Sequence, residues 1–218
     1  MKAMILAAGR GERMLPLTRD LPKPLLPIGT TTLIQRHLSR LAESGVESVV
    51  INLHFLGEKI QQLLGSEQFG VQIEYSIEPE LLETAGGIYA TLPLLGEAPF
   101  LVVNADIFTD FEFDSLMALD HITCPHLVLV PNPDHHPGGD YGLDNGGLLT
   151  PSGPTYTYSG IGVYPPQFFD TMSHGKLMLR PLFDAAVKNG QLTGEVFRGE
   201  WTDVGTPERY DLLNARFR

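Results

Sequence analysis

Cysteine is nearly absent from this sequence, and so are long apolar runs. Cys124 is the only cysteine in 218 residues, so no disulfide can form within the chain. The apolar segments 3–8 and 100–103 are far shorter than the about 20 residues that a membrane-spanning helix requires. The amino terminus carries one lysine and then a strand-like run, which is not the pattern of a signal peptide. These absences predict a cytoplasmic protein that has no membrane partner.

Basic residues are also scarce, with 15 Lys and Arg against 26 Asp and Glu, a net charge of −11. Such an excess of acid repels a polyanion, so nucleic acid is not expected as a partner. Four basic residues are nevertheless grouped near the start of the chain: Arg10, Arg13, Arg19 and Lys23. A local positive region in an acidic protein predicts a small anionic ligand, although a solvated basic loop would have the same composition.

Short β-rich segments alternate with amphipathic ones, a pattern typical of βαβ units around a mostly parallel sheet. The predicted strands are 2–7, 48–53, 71–75, 100–103, 126–130, 156–164, 194–197 and 200–204, and the predicted helices are 32–44, 56–64, 87–94, 114–119, 177–188 and 207–217. Residues 131–154 contain six Gly and five Pro and should form no long regular element. No repeat or linker is visible. We predict one Rossmann-like α/β domain over residues 1–218, with a mixed, mostly parallel sheet flanked by helices.

The turn after the first predicted strand contains Gly9-Arg10-Gly11. Glycines at this position let backbone N–H groups approach phosphate oxygens closely. The dinucleotide-binding fingerprint is not matched, because Met14 stands where its third glycine belongs, and no Gly-Lys-Ser/Thr of a P-loop follows. Arg13 offers a planar fork for phosphate oxygens and Lys23 a compact charge. The loop therefore predicts a phosphate site of another type.

Two acids follow strand-like segments. Asp106 comes just after an apolar strand, in Asn104-Ala105-Asp106, and Asp203 comes before the predicted last helix. Each acid alone is more typical of a helix cap or a loop. Together they offer the hard oxygen ligands that Mg²⁺ takes beside a triphosphate. The histidines predict no rival metal site, since no His-Glu-x-x-His pattern occurs and the adjacent His135 and His136 would point to opposite faces of a strand.

The segment from Glu78 to Ile88 leads into a predicted helix and contains Gly86 and Gly87. A helix start with free N–H groups and small residues suits close contact with a ligand. A simpler interpretation is a capped turn with Thr84 as the N-cap, and the two interpretations are compatible.

The string from Leu6 to Pro27 resembles the signature of the sugar-1-phosphate nucleotidylyltransferases, Leu-Ala-Ala-Gly-x-Gly-x-Arg followed by Pro-Lys-Pro. The resemblance implies Mg²⁺ as cofactor, held by Asp106 and Asp203, and catalytic roles for Arg13, Lys23 and Asp106. The nucleotide contacts it implies are Leu6, Ala7, Ala8, Gly9, Gly11, Arg13, Lys23, Leu82, Glu83, Gly87 and Asn104. The acceptor-sugar contacts it implies are Asn132, Asp140, Ser159 and Gly160.

Within that family the chain most resembles the compact N-acetylmuramate-1-phosphate uridylyltransferases of bacterial cell-wall recycling. This implies transfer of UMP from UTP to N-acetylmuramic acid 1-phosphate, with release of pyrophosphate, by a monomer or small homo-oligomer without an appended β-helix. Two positions depart from the expected pattern, Ala105 before the acid and Thr202 where Val is usual. The alternatives are a mannose- or heptose-phosphate guanylyltransferase, a catalytically silent nucleotide-sugar sensor and, last, a dinucleotide oxidoreductase.

Overall fold

A computed structural model describes residues 1–217. The strands are β1 (Ala3–Leu6), β2 (Pro27–Ile28), β3 (Thr31–Thr32), β4 (Ser48–Leu53), β5 (Glu67–Gln68), β6 (Val71–Ile77), β7 (Phe100–Asn104), β8 (Ile107–Thr109), β9 (His126–Val130), β10 (Tyr141–Leu143), β11 (Leu149–Thr150), β12 (Thr155–Tyr164), β13 (Thr193–Val196) and β14 (Trp201–Asp203). The helices are α1 (Leu33–Glu43), α2 (Gly57–Leu64), α3 (Glu83–Leu95), α4 (Asp114–Met117), α5 (Arg180–Lys188) and α6 (Pro207–Asn214).

Ten strands form one mixed sheet, in the order β11-β10-β12-β7-β1-β4-β6-β5, with β9 paired to β12 and β13 to β9. The central strands β7, β1, β4 and β6 run parallel, and β12 joins β7 antiparallel. Strands β8 and β14 form a separate antiparallel pair beside this sheet. The predicted Rossmann-like, mostly parallel sheet is confirmed.

The central strands are apolar on both sides because helices cover both faces of the sheet. In β1, Ile5 packs into the cluster that contains Leu38 of α1 and Ile60 of α2, while Met4 points to the opposite cluster. That second cluster contains Ile88 of α3 and Phe183 of α5. Each fully buried side chain of this size contributes about 1.5–3 kcal/mol to folding. No helix within residues 1–217 is long and apolar enough to cross a membrane.

Several predicted boundaries differ from the structure. Helix α3 begins at Glu83, four residues earlier than predicted, and Leu82 rather than Thr84 precedes it without any side-chain cap. The prediction of Thr84 as N-cap is therefore wrong, since it lies inside the helix. Helix α5 begins at Arg180 instead of residue 177, because the backbone of Leu177 bonds to residues 82, 85 and 86. The predicted irregular stretch 131–154 contains only the short strands β10 and β11.

Candidate active site

A cavity of about 470 Å³ opens where β1, β4 and β7 end. The carboxyl ends of neighbouring parallel strands meet at one edge of a sheet, which is where open α/β folds bind ligands. The lining residues are Leu6, Ala7, Ala8, Gly9, Arg10, Gly11, Glu12, Arg13, Met14, Lys23, Pro24, Asn52, Glu78, Leu81, Glu83, Thr84, Asn104, Ala105, Asp106 and Gly205. Most of the predicted nucleotide contacts are therefore gathered around one space.

The glycine-containing loop forms one wall of the cavity. Gly11 has a φ of 64°, in the left-handed region that favours glycine, and precedes a short 3₁₀ turn at Glu12–Met14. The buried hydroxyl of Thr18 donates a 2.8 Å hydrogen bond to the Gly11 carbonyl and fixes this bend. Arg10 and Arg13 are exposed and line the cavity, whereas Arg19 does not line it. Two of the four grouped basic residues thus offer exposed side chains to a ligand in the cavity.

Lys23, the third basic residue that lines the cavity, is buried and forms an ion pair with Asp106. Nζ of Lys23 lies 2.6 Å from Oδ2 of Asp106, and the side chains are 9% and 38% exposed. The pair joins the end of the loop to the segment after β7, which are 83 residues apart in sequence. A short charge-assisted bond of this kind fixes both groups in direction. The more exposed carboxylate keeps one edge open to the cavity.

A buried histidine holds the backbone of the residue that follows Asp106. Nε2 of His37, on α1, lies 2.9 Å from the carbonyl oxygen of Ile107. Burial lowers the pKa of His37 from 6.5 to about 4, so the ring is neutral at pH 7 and donates to this carbonyl through Nε2–H. The contact holds the residue that directly follows the carboxylate.

Asp203 reaches the same region from another part of the chain. The N–H of Val204 donates to the carbonyl of Asp106 over 2.8 Å, and Asp203 lies opposite Ile107 in the β14–β8 pair. Oδ2 of Asp203 accepts a 2.7 Å bond from Nη2 of Arg209. Gly205 leaves room for this contact, because a Cβ there would meet Nη2 of Arg209 at 2.0 Å.

The other oxygen of Asp203 lies against a histidine. Oδ1 is buried and makes no well-aligned hydrogen bond within residues 1–217, and Nε2 of His135, 3.0 Å away, forms an ion pair with it only when the ring is protonated. A buried carboxylate oxygen without a donor is costly unless a cation is bound to it. The described residues contain no cluster of three or more His, Cys, Asp or Glu that could hold a metal. Asp106 and Asp203 fit Mg²⁺, which takes one or two carboxylates and completes its shell with water and phosphate oxygens.

Two polar residues of this site, Asn52 and Glu78, were not predicted. Oδ1 of Asn52 accepts the N–H of Ala7 over 2.9 Å, and Nδ2 donates to Oε1 of Glu78 over 2.7 Å. Oε2 of Glu78 accepts the N–H of Leu82 over 3.0 Å. Both residues are only 3% exposed, so this chain of bonds is a buried link between the glycine loop and the segment before α3. The sequence feature that could have indicated this link is Asn52, a polar residue near the end of the largely apolar strand β4.

The predicted base contacts are only partly brought to the cavity. Glu83 lines it with a φ of 61°, in the left-handed region that L side chains rarely adopt. Leu82 and Gly87 do not line it. Gly87 instead makes room for the buried link, since a Cβ there would lie 2.7 Å from Oε1 of Glu78 and 2.8 Å from Nδ2 of Asn52. The need for glycine here comes from packing under the cavity.

None of the four predicted acceptor residues lines the cavity, and their polar groups bond mainly to one another's segments. Asn132 donates to the Pro137 carbonyl and Thr155 and accepts from Thr157, with distances of 3.2, 3.1 and 3.0 Å. Ser159 is 1% exposed, and its hydroxyl donates to Val128 over 2.7 Å at a bulge of β12.

The other two predicted acceptor residues are Asp140 and Gly160. Oδ2 of Asp140 accepts the N–H of Tyr158 over 2.9 Å. Gly160 has a φ of 86° and packs against Asn104, since a Cβ there would meet Nδ2 at 2.7 Å. Asn104 lines the cavity, so Gly160 connects the acceptor side to it directly.

The fold and the cavity define an α/β protein whose glycine-containing loop opens onto a lysine–carboxylate pair. The sequence model described as "Nucleotidyl transferase" matches residues 2–216. The chain therefore belongs to the nucleotidyl transferase family.

Similar proteins include sugar-1-phosphate nucleotidyltransferases. An N-acetylmuramate alpha-1-phosphate uridylyltransferase of Neisseria meningitidis serogroup B is 46% identical over 94% of this chain and 94% of its own length. A mannose-1-phosphate guanyltransferase of Gibberella zeae is 31% identical over 96% of this chain, which spans only 62% of that relative. A crystal structure from Bacillus anthracis, provisionally a glucose-1-phosphate thymidylyltransferase, superposes with a TM-score of 0.86 at 24% identity, covering 100% of this chain and 95% of that one. This last likeness bears on the fold alone.

Proposed function

We propose that this protein transfers UMP from UTP to N-acetylmuramic acid 1-phosphate, giving UDP-N-acetylmuramic acid and pyrophosphate. The observation that carries the proposal is the pair of buried Lys23 with the partly exposed Asp106, 2.6 Å apart. It puts a cation and a metal-type carboxylate beside the same cavity as the glycine loop. The choice of nucleotide and sugar rests on the 46% identity to the Neisseria meningitidis uridylyltransferase.

The triphosphate would lie along the loop, with its oxygens near the backbone N–H groups from Gly9 to Gly11 and near Arg13. Arg13 is exposed and lines the cavity, so its guanidinium can follow the β- and γ-phosphates as they leave together. The base would lie toward Glu83 and Thr84, which line the other side. Asn52 and Glu78 would hold these two walls at a fixed separation, through the Ala7 and Leu82 N–H groups.

In the transfer, a phosphate oxygen of the sugar 1-phosphate attacks the α-phosphorus of UTP. A new phosphorus–oxygen bond forms, the bond between the α-phosphorus and the bridging oxygen breaks, and that electron pair leaves with pyrophosphate. The attacking phosphate is already an anion, so no general base or covalent intermediate is needed. Lys23 is in position to stabilise the charge that builds on the α-phosphate, which is electrostatic catalysis by a fixed cation.

Asp106 and Asp203 would hold a Mg²⁺ ion, as the hydrogen-bond-free Oδ1 of Asp203 supports. When bound, the ion supplies positive charge against the triphosphate and the incoming phosphate. Arg209 fixes the other oxygen of Asp203 and so directs Oδ1. His135, 3.0 Å from Oδ1, would move aside or lie next to the ion.

Pyrophosphate release tests the proposal directly. The protein is assayed with UTP, GTP, CTP and dTTP against the 1-phosphates of N-acetylmuramate, N-acetylglucosamine, glucose and mannose. We expect the highest kcat/KM with UTP and N-acetylmuramic acid 1-phosphate. A preference for GTP with mannose 1-phosphate would favour the activity named for the Gibberella zeae relative. UTP binding by calorimetry, without turnover of any sugar phosphate, would favour a silent sensor.

A further inference from the structure

Strand β12 continues past the end of β7 and forms a wall beyond the cavity. Ile161 lies opposite Val103, so the residues of β12 that precede Gly160 extend beyond Asn104, the last residue of β7. Asp140 accepts the N–H of Tyr158 on this extension. The carboxylate of Asp140 is therefore on the acceptor side of the cavity, about two residues further out than the Gly160–Asn104 contact.

One arginine is held in place against this wall. Nη1 of Arg180 lies 3.0 Å from Oδ1 of Asp140, and Nε lies 2.8 Å from Oδ1 of Asp184. The guanidinium carbon is 4.8 Å from the ring centroid of Tyr141, and the Tyr141 hydroxyl donates to the same oxygen of Asp184 over 2.7 Å. Two carboxylates and a ring thus fix the plane of a side chain that is still 55% exposed.

The position of Arg180 is also fixed through the backbone. Three residues before it, the N–H of Leu177 donates to the Leu82 carbonyl over 2.9 Å, and the Leu177 carbonyl accepts from Ala85 and Gly86. These bonds attach the start of α5 to the start of α3, whose first residue, Glu83, lines the cavity. Arg180 is therefore linked through the backbone of α5 to the wall that contains Glu83, and through Asp140 to β12, although it does not itself line the cavity.

Part of this guanidinium is not used by the protein. Within residues 1–217, Nη2 of Arg180 makes no hydrogen bond, while Nε and Nη1 are taken by Asp184 and Asp140. A second basic side chain, that of His136, has Nε2 3.4 Å from the same Oδ1 of Asp140. Two basic groups thus converge on one carboxylate oxygen. An additional carboxylate arriving at the Nη2 edge would find a fixed, partly exposed cation.

N-Acetylmuramic acid differs from N-acetylglucosamine by a lactyl ether that ends in a carboxylate. An enzyme that selects the first sugar needs a cation for that group, and a planar guanidinium matches a carboxylate best. We propose that Arg180 binds the lactyl carboxylate of the acceptor and thereby selects N-acetylmuramic acid 1-phosphate. The inference rests on the proposed function. Of the other cations nearby, Lys176 lacks a planar guanidinium, and Arg209 is only 19% exposed, with Nε and Nη2 both bonded to Asp203.

The test compares N-acetylmuramic acid 1-phosphate with its lactyl methyl ester, which removes the carboxylate charge and adds one methyl group. Arg180→Gln should raise KM for the acid roughly 10- to 100-fold, the loss expected for one hydrogen bond to a charged group. The kcat for the acid and the kcat/KM for the ester should stay at the wild-type values. Arg180→Lys keeps the charge and should recover part of the preference for the acid.

Lys188→Gln is the matched control, because it removes the same charge from the exposed far end of the same helix and should change neither acceptor. Thermal unfolding of each variant separates a folding defect from lost selectivity. The inference would be overturned if the Arg180→Gln protein kept the wild-type ratio of kcat/KM for the acid to kcat/KM for the ester, whether both values were unchanged or both fell equally. A wild-type protein that does not use the acid at all would instead refute the proposed function.

Discussion

The cavity and the predicted acceptor wall near it are built on opposite plans. At the proposed nucleotide end, one contiguous segment supplies the loop glycines, Arg10, Arg13 and Lys23, and the side chains of both arginines are exposed to the space they line. At the proposed acceptor end, whose residues do not line this cavity, the polar side chains come from distant segments and bond to the protein, as with the three hydrogen bonds of Asn132. The first end presents groups to a ligand, while the second is a preformed wall.

This difference has a kinetic consequence. Charges at the nucleotide end face the reacting phosphates, so their loss should lower kcat. Side chains at the acceptor end shape the pocket, so their loss should act mainly on KM for the sugar phosphate and leave KM for UTP unchanged. The substitutions that follow test this division, beginning with the largest expected effect.

Asp106→Asn should lower kcat by about 10³-fold or more, because it removes a metal carboxylate and leaves Lys23 without its partner. Asp203→Asn should have a similar effect through the same ion. Pyrophosphate release measures the rate, and Mn²⁺ binding followed by electron paramagnetic resonance should weaken in both variants. Circular dichroism serves as the folding control. Substantial Mg²⁺-dependent turnover by Asp106→Asn would remove this residue from the metal site.

Lys23→Ala should lower kcat by about 10²- to 10³-fold, which is typical for the loss of one fixed group that stabilises transition-state charge. The control is Arg19→Ala, a nearby exposed cation that does not line the cavity and should leave kcat unchanged. The two rates are measured at saturating UTP and sugar phosphate. If both variants lose activity equally, general electrostatic attraction by the loop, and not the position of Lys23, is responsible.

The same contrast explains how far the sequence alone could predict this molecule. The sheet and the loop were predictable because each depends on local pattern: β4 at Ser48–Leu53 and β9 at His126–Val130 match the predicted strands residue for residue. The Asn52–Glu78 link was not predictable from the sequence. It joins side chains 26 positions apart, and a pattern of apolar residues does not show which polar side chains meet.

Helix starts were the weakest predictions, for a related reason. The start of α3 was predicted at Gly87, a residue that normally breaks helices, whereas the helix begins at Glu83 and contains Gly87 in its second turn. The tertiary contact with Asn52 and Glu78 outweighs the low helix propensity of glycine at this position.

Gly87→Ala should destabilise the protein by about 1–3 kcal/mol, because its Cβ would overlap the buried Asn52–Glu78 bond. The displaced link should also raise KM for UTP, since it holds both walls of the nucleotide end. Urea unfolding and the steady-state KM give the two measurements. The control is Gly138→Ala, where a Cβ meets nothing within 4 Å and stability should not change. A Gly87→Ala protein with wild-type stability would show that the link can shift at little cost.

Asn132→Ala should give the smallest effect. It also tests most directly whether side chains at the acceptor end act only on KM for the sugar phosphate. It removes three hydrogen bonds, two that hold residues 132–139 to Thr155 and Thr157 of β12 and one within that segment, to the Pro137 carbonyl. A net loss of about 1–1.5 kcal/mol in ordering this wall corresponds to a rise of about tenfold in KM for the sugar phosphate. KM for UTP should not change, because Asn132 does not line the nucleotide cavity. If KM for UTP rises as much as KM for the sugar phosphate, the two ends are energetically coupled and the wall cannot be treated as a separate part of the site.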